Sequence, residues 1–108
     1  RRDVLQRFVQ ATAEGWKSYL VDPSPGNALI KKDNPQMPDD LLAFGLEKMK
    51  AYGLVAGGDA VKQGILAMTD ERWRRTFEFM VQTGQLKPGF DYRSAYTLDL
   101  VKDARVLP

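Results

Sequence analysis

Cysteine and histidine are both absent from the 108 residues, and no apolar run extends beyond a few positions. The first two absences together remove thiol nucleophiles, imidazole bases and the usual zinc ligands. They leave the compartment open, because cytosolic proteins and disulfide-free exported ones share a lack of cysteine. The third excludes a membrane-crossing helix, which needs about 20 consecutive, predominantly apolar residues. Surplus charge is also scarce. Sixteen Lys and Arg against fourteen Asp and Glu leave +2, too little to argue for nucleic acid, although a pI near 9.0 keeps that partner open.

What is present is the composition of a soluble globular protein, 44% hydrophobic and 28% charged. The apolar residues recur at helical spacing. From Asp3 to about Leu20, Leu5, Phe8, Val9, Thr12, Trp16, Tyr19 and Leu20 form one stripe, with Asp3 as the expected cap and Phe8 and Trp16 as expected core anchors. Gly15 weakens that helix by roughly 1 kcal/mol relative to alanine, so close packing is expected there. After Asp22-Pro23-Ser24-Pro25-Gly26 a short second helix is expected, capped by Ser24 and ending with Lys31 and Lys32 against the negative end of its dipole. Asp33-Asn34-Pro35 turns the chain. A third helix then starts at Pro38, with Asp39 and Asp40 in its first turn and Gly53 as its stop. Leu41, Leu42, Leu46, Met49 and Tyr52 make its apolar face, and Gly45 on that face predicts a close helix contact.

The stretch from Leu54 to Met68 is glycine-rich and irregular. Gly57-Gly58-Asp59 matches neither the Walker pattern nor the dinucleotide GxGxxG spacing, so it reads as a turn. The clearest helix opens at Thr69, a strong cap, carries Trp73, Phe77, Met80 and Val81 on one face, and ends at Gly84. Arg72, Arg74 and Arg75 cluster beside those aromatics. Nucleic acid is not expected to be their partner, because Trp73 and Phe77 read as buried and Glu71 and Glu78 stand at helical pairing distance. A last short helix is expected after Asp91 or Thr97, followed by the uncovered apolar tail Val106-Leu107-Pro108. The expected fold is therefore all-α, a single helical region over residues 1–108 with four to six short helices.

No catalytic or metal-binding constellation emerges. Asp39/Asp40 and Asp70/Glu71 are neighbours at helix starts, where dipole effects place carboxylates in any case. Ser18, Ser24 and Ser94 have no histidine and no SxxK pattern, and no EF-hand spacing occurs. Neither an enzyme nor a cofactor is expected.

In order along the chain, the segments RFVQATAEGWKSYLVDPSPGNALIKKDNPQM, LLAFGLEKMKAYGLVAGGDA, GILAMTDERWRRTFEFMVQTG and DYRSAYTLDLV resemble the C-terminal region of the NMT1/THI5-like substrate-binding proteins. These are extracytoplasmic receptors of ABC importers with the type II periplasmic binding protein fold. The resemblance implies a periplasmic two-lobed receptor that closes on a small organic ligand, a thiamine-pyrimidine precursor or another nitrogenous or anionic compound, and delivers it to the permease subunits. The chain itself, beginning Arg1-Arg2-Asp3, is then expected to be a C-terminal fragment of a larger protein. The pyrimidine-making enzymes that resemble this family use a cysteine-rich motif and a histidine, neither of which occurs here. Ligand contacts cannot be carried over from the family; Asp59 in the glycine turn is the one position proposed for testing. An isolated piece is expected to cover its apolar faces by self-association or helix rearrangement. The competing reading is a free-standing helical module whose Arg72/Arg74/Arg75 face engages an acidic partner or nucleic acid.

Overall fold

A computed structural model describes residues 1–108. It is all-helical, with five α-helices and no strand. They are α1 (Arg2–Val21), α2 (Ser24–Asp33), α3 (Asp39–Ala51), α4 (Ala60–Gln63) and α5 (Asp70–Gln82), followed by a short 3-10 helix at Tyr92–Ala95. No helix is long and apolar enough to cross a membrane.

Local chemistry accounts for most boundaries. The α1–α2 corner is set by Asp22, whose carboxylate accepts the Ser24 N–H at 3.0 Å. That bond holds the Asp22 carboxyl below its usual range. Pro23, rather than Ser24, occupies the cap of α2, and Pro25 sits in its first turn, where a missing N–H costs nothing. The corner closes because Gly26 has no side chain: a β-carbon there would lie 2.9 Å from the Tyr19 ring. The Tyr19 hydroxyl then donates to Asn27 Oδ1 at 2.8 Å. Helix α3 begins one residue later than expected, with Pro38 at its cap, and ends where Gly53 turns left-handed at φ +60°. In α5, Thr69 Oγ1 accepts the Arg72 N–H at 3.2 Å, as its position predicts.

Several packing expectations fail. Arg1, not Asp3, precedes α1, and Asp3 instead pairs with Arg7 along the first turn at 3.4 Å. Phe8 is 70% exposed and anchors nothing, while Trp16 is half-buried, edge-on to Tyr19. Neither Gly15 nor Gly45 has any atom within 4 Å of where its β-carbon would be. Both border an apolar groove of about 570 Å³ among α1, α2 and α3, together with Trp16, Tyr19, Leu42 and Leu46. Of the apolar face expected for α3, Leu41 and the following cap residue Tyr52 are exposed, and Leu42, Leu46 and Met49 are half-buried. The final helix is the 3-10 turn alone; residues 98–104 form consecutive turns.

The small core sits where the chain's exit from α4 meets its C-terminus. Gly64, at φ +104°, comes so close to Arg105 and Val106 that a β-carbon would lie 2.9 Å from their backbone. The Ile65 N–H donates to the Val106 carbonyl at 2.8 Å, and Lys17 Nζ donates to the Leu107 carbonyl at 2.8 Å. The apolar tail is thus tied down rather than free. Ala13, Ala60 and Ile65 are the buried apolar residues.

Candidate functional site

The glycine-rich passage from α3 to α4 forms one wall of a cavity of about 540 Å³. Its shape follows from backbone contact. Gly57 packs directly on Gly53, and a β-carbon on Gly57 would stand 2.7 Å from the Gly53 carbonyl oxygen. That crossing leaves no room for a side chain on Gly57, and Gly53, at φ +60° and tight against the Gly57 α-carbon, also favours glycine. Leu66 closes another side at φ +70°, a left-handed conformation that costs a residue with a side chain of order 1 kcal/mol. Trp16 from α1 and Tyr52 from the end of α3 add aromatic surface.

Two opposite charges border this cavity, Asp59 and Arg72. Asp59 precedes α4 and its side chain is 36% exposed; Arg72, in the first turn of α5, is 73% exposed. Arg72 Nε stands 4.0 Å from Asp59 Oδ2, beyond hydrogen-bond length. That oxygen is itself buried and accepts no hydrogen bond. An ionised carboxylate oxygen in this position retains unused accepting capacity, and the guanidinium beside it has donors to spare. Asp59, singled out in the sequence, therefore lies in a cavity, with a partner that the sequence reading placed on a different surface.

The basic cluster of α5 does not present three free charges. Arg74 pairs with Glu78 at 2.6 Å and Arg75 with Glu71 at 2.7 Å, each one helical turn apart. With Arg72 next to Asp59, each guanidinium has a carboxylate within 4.0 Å.

A second polar cluster was not foreseen. Asp70, in the first turn of α5, receives Arg93 through Nε at 3.2 Å and Nη2 at 3.3 Å, Tyr92 through its hydroxyl at 3.4 Å, and the Tyr96 hydroxyl. Trp73 stacks on Tyr96 with centroids 4.6 Å apart, and Phe77 on Tyr92 at 5.0 Å. The Tyr96 hydrogen bond, then Arg93, hold the Asp70 carboxyl below its usual range, and the same carboxylate pushes Tyr96 up to about 12. Both oxygens of Asp70 are occupied, so the cluster is a clamp between α5 and the 3-10 helix. The available hint was three donors, Tyr92, Arg93 and Tyr96, crowded into five residues. No group of three or more Asp or Glu side chains is arranged to hold a metal ion.

Compared with known protein families, with curated proteins and with solved structures, the chain matches none.

Proposed function

We propose that this chain is the helical C-terminal part of an extracytoplasmic solute-binding receptor, which hands a small organic ligand to the permease of an ABC importer and performs no chemistry on it. The ordered sequence segments are one support. The observation that carries the reading is a surface left unfilled: four of 108 residues are buried, and Leu41 and Phe44 on α3 are both more than half exposed. Apolar helix faces with almost no interior need cover, and helices that flank a receptor's sheets would receive it from those sheets. The cavity at Asp59, lined by this chain's own residues, is then the ligand site that this part of the receptor carries. The basic-face module has less behind it, because Arg74 and Arg75 are paired at close range with Glu78 and Glu71, and only Arg72 keeps its donors free.

The test is to read the natural gene upstream of Arg1. A secretory leader followed by alternating strands and helices is the expected result. A start codon at or next to Arg1 would end the receptor reading.

A further inference from the structure

We infer that the Asp59–Arg72 cavity binds a small aromatic zwitterion, its cationic nitrogen on Asp59 and its carboxylate or other anion on Arg72. The inference deepens the receptor reading by naming the class of its cargo, and it rests on that reading for its purpose. Three features of the cavity lead to it. First, the two charges border one space of about 540 Å³ but stop 4.0 Å apart, so each can take a partner without first breaking a direct hydrogen bond. Pockets of this size suit small organic molecules. A ligand of one sign would satisfy one side chain and repel the other, whereas a zwitterion satisfies both. Second, Asp59 Oδ2 is buried without any hydrogen-bond donor, and a bound ammonium or amidinium that meets the exposed part of the same carboxylate would offset that cost through its charge. Third, Trp16 and Tyr52 border the same space, giving a flat ring apolar contact and the cationic nitrogen a favourable neighbour. Strain at Leu66 fits the same picture, since costly backbone conformations collect at binding sites.

Titration calorimetry on the 108-residue chain with phenylalanine, benzylamine and benzoate separates the contributions. These probes share a ring and differ in carrying both charges, the cation alone or the anion alone. Phenylalanine is expected to bind at least about 10-fold more tightly than either of the others, the factor associated with one charge-assisted hydrogen bond. Arg72→Gln is expected to reduce phenylalanine to the level of benzylamine, and Asp59→Asn to the level of benzoate. Arg72 is largely exposed, so its variant keeps the test decisive even if Asp59→Asn unfolds the α4 region. Equal affinity for all three probes, no measurable binding of any, or phenylalanine binding unchanged in Arg72→Gln would overturn the inference. No transporter is needed for this measurement, and the gene's upstream sequence plays no part in it, so the two readings can fail separately.

Discussion

At Gly57 a β-carbon would lie 2.7 Å from the Gly53 carbonyl oxygen and 2.8 Å from its α-carbon. Backbone cannot swing aside as the tip of a lysine can, so Gly57→Ala is expected to destabilise the chain by about 1–3 kcal/mol, the range for forced overpacking. Gly15 gives the opposite case. It lies inside α1 with nothing within 4 Å of its missing β-carbon, so Gly15→Ala should stabilise by about 0.5–1 kcal/mol through helix propensity alone. Urea unfolding of the two variants beside the parent chain tests both directions. Gly57→Ala with an unchanged midpoint would show that the Gly53–Gly57 crossing is not tight, and the cavity wall built on it would go with it. The contrast also shows what a glycine in a sequence withholds. Gly15 and Gly45 invite a close-contact reading and Gly57 a turn, yet the tertiary arrangement gives the neighbour to Gly57 and leaves the other two facing open space.

Among the elements, α5 and the 3-10 helix make the most specific contact, and it depends on pH. Tyr96 must keep its proton to donate to Asp70, and its pKa stands at about 12 against an ordinary 10.0. A raised folded pKa means that the contribution is complete below pH 10.0 and is lost as pH rises through 12. Asp70 works in the reverse sense. Its lowered carboxyl contributes fully above 3.8, and the contribution disappears as pH falls through the folded value. The clamp should therefore hold across the neutral range and open at both extremes. A spectrophotometric phenol titration provides the check: one of the four tyrosines should ionise about two pH units later than an ordinary phenol, and Tyr96→Phe should abolish that late step. Four tyrosines ionising together near pH 10 would show that the hydroxyl does not donate to Asp70. The element level is also where sequence reading succeeds and then stops. Asp22-Pro23, Asn34-Pro35, Gly53, Thr69 and Gly84 act on their immediate neighbours, so α1, α2, α3 and α5 begin and end within a residue or two of expectation, whereas α4 lies in the stretch that reads as irregular. Tyr96 on Asp70, Val106 on Ile65 and Arg72 beside Asp59 join residues 13 to 41 positions apart. No local propensity encodes those pairs, and periodicity cannot say whether the face carrying Phe8 meets another element or water.

For the molecule as a whole, surface area decides what to expect. A compact chain of 12.2 kDa exposes about 6,100 Å², and this one exposes 8086 Å². Its radius of gyration is 16.7 Å, against about 13 Å for a compact domain of this length. The excess of roughly 2,000 Å² coincides with apolar side chains left outside, among them Phe8, Leu41 and Phe44, and with the groove bordered by Gly15 and Gly45. On the proposed receptor reading, a neighbouring lobe would cover these side chains. For the 108-residue chain in isolation, a second copy is the expected cover. Two copies each burying that excess would form an interface of about 4,000 Å², within the range of obligate dimers. A two-fold arrangement suits a surface that offers both exposed apolar side chains, such as Phe44, and a groove bordered by Gly15, Leu41 and Gly45. Sedimentation velocity should accordingly show a monomer–dimer equilibrium that shifts with concentration. Phe44→Glu should move it towards monomer and increase the binding of an apolar dye, because the charge disfavours association without filling the groove. A compact monomer at every concentration with no dye binding would mean that the helices rearrange to bury their own faces, and the open groove would not survive in solution.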